Sequence, residues 1–397
     1  MKGISSPFLL LCLTGGLAIF SSTISKSPVL PLFATSLGAD PAGVGMIAAI
    51  SAFTGIVASI PAGLRSDRWG RKKMLLFSLL VFSTAPFLYL IVTHLWQLAL
   101  IRFYHGLATA IFMPVAMALV SDLFQQGRGE KLGWFSTSTL LGRFMAPIAG
   151  GSLIGFFVFN PSFGFKTVYL FCGLAGILAL LPVFKLPYPS PLKKERGPLG
   201  ETLRILKKVM ANPGISLTSG MEAAILFAYG TFETFLPVYS IKIGLSAYEV
   251  GVFLSAQVIT LALTKPILGR FSDRHGRKPQ ILAGALMGAL CLGSLSIFKS
   301  FFPLLLLSIL FGLSLSVVTS ATSALVADFS RKETYGSAMG ILGSIMDIGH
   351  TTGPLVSGIV AKYLGFSYSF MNASAILLIV AVVFGVGVKT SHKQNSF

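Results

Sequence analysis

Twelve apolar runs, each about as long as a bilayer is thick, restrict this chain more than any other feature. A helix needs about 20 apolar residues to cross the hydrocarbon core. The 397-residue chain offers such runs near 7–35, 43–64, 74–93, 97–122, 131–156 and 166–185, and again near 213–241, 249–270, 279–298, 302–328, 335–361 and 367–388. Charged residues make up 11% of the chain and hydrophobic ones 54%, where a soluble domain carries about 25% charged. Nearly all of the net charge of +18 is therefore confined to short loops. The expected fold class is an all-α membrane protein, with twelve transmembrane helices in two pseudo-symmetric six-helix bundles.

The symmetry is written in a repeat. Gly63, Ser66, Asp67, Arg68, Gly70, Arg71 and Lys72 recur as Gly269, Ser272, Asp273, Arg274, Gly276, Arg277 and Lys278, at an offset of 206. Leu30-Pro31 and Leu236-Pro237 keep the same offset, so the first run is the counterpart of an internal span. It is expected to stay as a helix, although Met1, Lys2 and an apolar run imitate a signal peptide. The predicted organisation is an N-terminal bundle over 1–185, a linker over 186–212, and a C-terminal bundle with a short basic tail over 213–397. In the linker Leu199, Leu203, Leu206 and Met210 share one helical face, which predicts an amphipathic helix on the membrane surface or a solvated linker helix.

Basic residues set the orientation. One set of loops carries 23 lysines and arginines, the opposite set only Lys166, Lys242, Lys299 and Lys362. The rich set is expected to be cytoplasmic, with both termini, in a plasma or inner membrane.

The repeated loop, Gly-x-x-x-Asp-Arg-x-Gly-Arg-Lys between two spans, resembles the signature loop of the major facilitator superfamily of transporters. The resemblance covers the chain from about residue 7 to 388. It implies two tandem bundles with substrate bound between them near the midplane. It also implies that, when the cytoplasmic side is closed, Asp67 clamps the N-terminal half to the start of the eleventh span, whose free N–H groups form a partial positive end. Asp273 would act likewise at the fifth span. Gly63, Gly70, Gly269 and Gly276 permit close approach and tight turns. Arg68 and Arg71 are placed to bridge to Asp122; Arg274, Arg277 and Asp328 are the repeat counterparts.

The fifth span carries Gly142, Ala146, Pro147, Gly150 and Gly151, and the eleventh carries Gly349, Gly353, Pro354 and Gly358. This resembles the glycine–proline motif of drug–proton antiporters within the superfamily, with Ala146 where that pattern has glycine. Small residues let helices approach closely in lipid. Arg102 with His105 and Gly106 resembles the fourth-span motif of the same antiporters, where the arginine is linked to proton movement. Its repeat counterpart is Ser308, so the charge is not a relic of duplication.

The remaining ionisable groups inside the spans are Lys26, Arg143, Glu222, Glu233 and Asp347. Each costs about 2.5–3.5 kcal/mol near a bilayer centre on insertion scales, so they are expected to face a wet cavity or each other. Lys26 and Glu233 fall at similar depth by the repeat, and His350 matches Arg143. Tyr104, Tyr229 and Phe232 are cavity candidates as neighbours of these charges. Lys265 is expected to snorkel.

No phosphate loop, zincin, nucleophile elbow or Cys-x-x-Cys pattern is present. The expectation is a non-enzymatic, cofactor-free monomer in the lipid bilayer. It would bind a small molecule and protons, without a nucleic-acid partner, and export hydrophobic drugs in exchange for protons. The alternatives are a transporter of a sugar, organic anion or lipid, by uptake or export, or a non-transporting sensor or scaffold. The first span lacks the carboxylate common in drug antiporters and has Lys26 as its buried charge, which admits the anionic alternative.

Overall fold

The computed structural model describes residues 7–124, 126–186, 207, 210–330 and 335–388, with the backbone alone for 59–69 and 335–337. Every regular element among them is helical: α1 (Pro7–Ile24), α2 (Val29–Ser36), α3 (Pro41–Trp69), α4 (Arg71–Leu88), α5 (Leu95–Leu123), α6 (Arg128–Phe156), α7 (Pro161–Leu180), α8 (Pro213–Lys242), α9 (Ala247–His275), α10 (Arg277–Ser294), α11 (Phe301–Phe329), α12 (Tyr335–Leu364) and α13 (Phe366–Gly387). Pro28 donates no hydrogen bond and disfavours helix just before it. The first crossing is therefore split into α1 and α2 by a turn that carries Lys26. Ten of the resulting crossings are long and apolar enough to span a membrane. The other two are α10, which opens on Arg277 and Lys278, and α12, which carries Asp347, His350 and Lys362. The linker helix predicted within 186–212 lies outside the described residues.

The repeat is structural as well as sequential. Gly70 and Gly276 close the two signature loops at φ of 87° and 92°, where a side chain would be strained. Asp40 caps α3 by accepting from the Gly43 N–H at 2.7 Å. Ser246, its counterpart, caps α9 in a reciprocal box with Glu249.

Two seams join the halves: α3 against α12, and α6 against α9. Each is made of glycine against backbone. A Cβ on Gly45 would lie 2.1 Å from the Pro354 carbonyl oxygen, and one on Gly358 would lie 2.7 Å from that of Pro41. In the symmetric seam a Cβ on Gly151 would lie 2.3 Å from the Ala247 oxygen and one on Gly251 2.5 Å from the Pro147 oxygen. All of these lie towards the end opposite the basic loops. Towards the basic end, Gly133, Gly269, Gly340 and Gly343 have nothing within 4 Å of a would-be Cβ. The apolar core agrees. One cluster runs through both halves, including Phe33, Phe165, Phe235 and Phe253, whereas towards the basic end the halves keep separate clusters around Phe135 and around Leu342. The two halves thus meet at one end and part at the other.

Candidate functional site

Between the halves lies a cavity of about 480 Å³ that Lys26, Arg102, His105, Arg143, Tyr229, Glu233, Asp347 and His350 help to line. A larger hollow of about 850 Å³ lies at the opposite end, but Lys242 is the one charged residue in its lining. Charge chemistry therefore belongs to the central cavity.

Its centre is an ion pair across the halves. Lys26, presented by the α1–α2 turn, stands 2.8 Å from Glu233 Oε2 on α8. His350 on α12 brings Nε2 within 3.3 Å of the same oxygen and 3.4 Å of Lys26 Nζ. As the Nε2–H tautomer the ring donates to the carboxylate; as the Nδ1–H tautomer it accepts from the ammonium. Tyr229, one turn from Glu233, stacks on the His350 ring at 5.3 Å between centroids. Lys26 and Glu233, at similar depth by the repeat, are thus in direct contact, and His350 joins them.

The other cations are less well partnered. Arg102 is 2% exposed, with Nη1 donating to Tyr89 Oη at a long 3.4 Å and no partner for Nε. Tyr89 Oη also meets His105 Nδ1 at 3.3 Å and its ring stacks on Tyr169. Tyr89 escaped the sequence reading because nothing ionisable marks it. Arg143 is exposed to the cavity. Lys265, near the basic end of α9, is exposed.

Three candidates fall elsewhere. Glu222 is fully buried and bonded to Thr322 of α11, away from the cavity lining. At its depth α11 closes the face of α8 that opens on the cavity near Glu233. Phe232 is buried against Phe311 at 4.7 Å between centroids. Tyr104 bonds Thr84 on α4 at 3.0 Å. Phe232 and Tyr104 each neighbour a cavity residue in sequence, but successive helix residues point about 100° apart.

Arg71 bonds Asp122, and its counterpart Arg277 bonds Asp328 at 2.7 Å. Both ties lie within one half. Asp273 pairs with Arg277 at 3.3 Å. The contacts of Gly63, Asp67 and Arg68 lie outside the described residues, and the clamp expected of Asp67 with them. The glycine–proline motif divides its work. Pro147, Gly151, Pro354 and Gly358 form the seams, while Gly142, Gly349 and Gly353 seat α6 on α1 and α12 on α8, with would-be Cβ atoms 2.2–2.3 Å from backbone oxygens. Gly150 meets Val29 inside its own half. At the end opposite the basic loops, Lys362 and Asp40 form an exposed pair across the α3–α12 seam at 2.9 Å. No group of three or more metal-ligating side chains occurs among the described residues.

A charged cavity between two helical bundles, sealed at one end, is the build of a multi-pass membrane transporter. The sequence profile of the Major Facilitator Superfamily matches residues 11–261 and 224–397, and the chain belongs to that family. It is 28% identical over 367 residues to the multidrug resistance protein MdtG of Salmonella paratyphi C, covering 89% of each chain. It is 22% identical over 371 residues to multidrug resistance protein 2 of Bacillus subtilis, covering 93% of this chain and 90% of that one. Among solved structures, a bacterial homolog of the human lysosomal transporter Spinster, inward-facing and unoccupied, matches with a TM-score of 0.81 at 16% identity, over 98% of this chain and 97% of that one. The nucleoside transporter NupG matches with a TM-score of 0.83 at 15% identity, over 97% and 100%. These two likenesses concern the fold alone.

Proposed function

We propose that the protein exports hydrophobic small molecules in exchange for protons, by alternating access, from a cell membrane with the basic loops and both termini in the cytoplasm. Residues 1–185 and 213–397 are the two moving bundles and 186–212 their linker. On this reading the state described is inward-facing: the glycine seams close the outer side and the cavity opens to the cytoplasm. The similarity to multidrug resistance proteins supports the substrate class.

The observation that carries the coupling is the Lys26–Glu233–His350 contact, because it spans the halves. Lys26 belongs to one bundle; Glu233 and His350 belong to the other. While Glu233 is ionised it holds Lys26 and the halves stay engaged at this depth. A proton arriving on Glu233 removes the counter-charge, the ion pair across the halves is lost, and the bundles are free to rock. Asp347 lines the same cavity and is the next proton acceptor. The test is Glu233→Gln in proteoliposomes with an imposed pH gradient. Gradient-driven efflux should be lost while substrate binding remains, and Glu249→Gln, at a helix cap, should behave as wild type. Efflux by Glu233→Gln with unchanged dependence on the gradient would remove Glu233 from the mechanism.

A further inference from the structure

The basic residues of the central cavity face too little negative charge. Lys26, Arg102 and Arg143 line it, where the carboxylates are Glu233 and Asp347. Glu233 is already engaged by Lys26 and His350.

Glu222 does not supply the missing charge. It is buried away from the cavity lining, where it accepts from the Thr322 hydroxyl.

Arg143 is left exposed to the cavity, without an ion pair among the described residues. Arg102 is left with an unpartnered, buried Nε. A guanidinium offers a planar fork that matches carboxylate and phosphate oxygens two at a time. The lining also carries an apolar set on the C-terminal half, Leu226, Leu254, Val258 and Met346, beside hydroxyls such as Ser22, Ser51 and Thr109 on the N-terminal half. A volume of about 480 Å³ fits a drug-sized molecule, in the range of about 300–1,000 Å³ for small-molecule pockets.

We infer that the substrate is a small organic anion, with a carboxylate or phosphate-type group on an apolar body, and that Arg143 anchors the anion with Arg102 behind it. The inference rests on the transport reading above and specifies its substrate. An inside-negative membrane potential also favours outward movement of an anion.

The experiment measures binding without any gradient, so it is independent of proton coupling. Purified full-length protein in detergent is titrated against two fluorescent probes, anionic carboxyfluorescein and cationic rhodamine 6G, and read by polarisation. Wild type should bind carboxyfluorescein at least tenfold more tightly. Arg143→Gln should weaken that binding by about 10- to 100-fold, the scale of one charge-assisted hydrogen-bonded contact, and Arg143→Lys should recover part of it. The preference shown by wild type needs no variant to fold. Tighter binding of rhodamine 6G, or carboxyfluorescein affinity unmoved in Arg143→Gln, overturns the anion site and leaves proton-coupled export standing. Conversely, gradient-independent transport with intact anion preference overturns the coupling and leaves the site.

Discussion

Gly45→Ala places one methyl group at the tightest point between the halves. The new Cβ would stand 2.1 Å from the Pro354 oxygen, 3.0 Å from its carbonyl carbon and 3.3 Å from Gly358 Cα. Ordinary contact begins at 3.4 Å, so α3 and α12 must part by 1.3 Å along the first vector (3.4 minus 2.1). All three obstacles belong to the backbone of α12, so no side chain can swing clear. That backbone is itself held on α8 by Gly349 and Gly353. Overpacking of this kind costs about 1–3 kcal/mol. Alanine also favours helix over glycine by up to about 1 kcal/mol, but this gain is present in inward- and outward-facing states alike and cancels. The outward-facing population should therefore rise by about 5- to 150-fold. The assay places a cysteine at Thr109, which is exposed to the central cavity, with Cys12, Cys172 and Cys291 replaced by serine. It then follows labelling by an impermeant maleimide from outside. Gly251→Ala, at 2.5 Å from the Pro147 oxygen, should act in the same direction more weakly. An external labelling rate within twofold of the Gly45 parent would refute the idea that the seam holds the inward-facing state.

Two further outcomes follow from polar contacts. Lys362→Gln removes the outer pair with Asp40 and should raise external labelling by less than Gly45→Ala does, because both partners are exposed. The Gly43 N–H, and after it Lys362, hold the Asp40 carboxyl below the ordinary aspartate range. The pair therefore contributes fully above about pH 3.9 and fades as external pH falls through the lower value set by these contacts. The variant-to-wild-type ratio should be flat from about pH 7 to 5 and approach one only in stronger acid; a ratio that falls between pH 7 and 5 contradicts this. Glu222→Gln should change thermal stability little, because the amide oxygen still accepts from Thr322. Thr322→Val should destabilise by about 1–3 kcal/mol by leaving the buried carboxyl without its donor; the opposite ranking in thermal melts contradicts this.

What the sequence determined by itself is whatever depends on neighbours along the chain. Run length and charge placement define the membrane class. The offset of 206 anticipates the turn glycines Gly70 and Gly276 and the Arg71–Asp122 and Arg277–Asp328 ties, since each is fixed by spacing along two consecutive helices. The cost of burying charge pointed to Lys26, Arg143, Glu222, Glu233 and Asp347 as cavity residues, and all but Glu222 line the cavity. The tertiary structure alone decided which side of each helix meets what. Gly150 and Gly151 are adjacent, yet one packs within its half and the other forms the seam. Glu222 and Glu233 lie about three turns apart on one face of α8, yet one is shut against α11 and the other opens on the cavity. The reason is geometric. A helix turns about 100° per residue, and the partner met by a given face changes with depth, so the outcome is set by neighbouring helices that are distant in sequence.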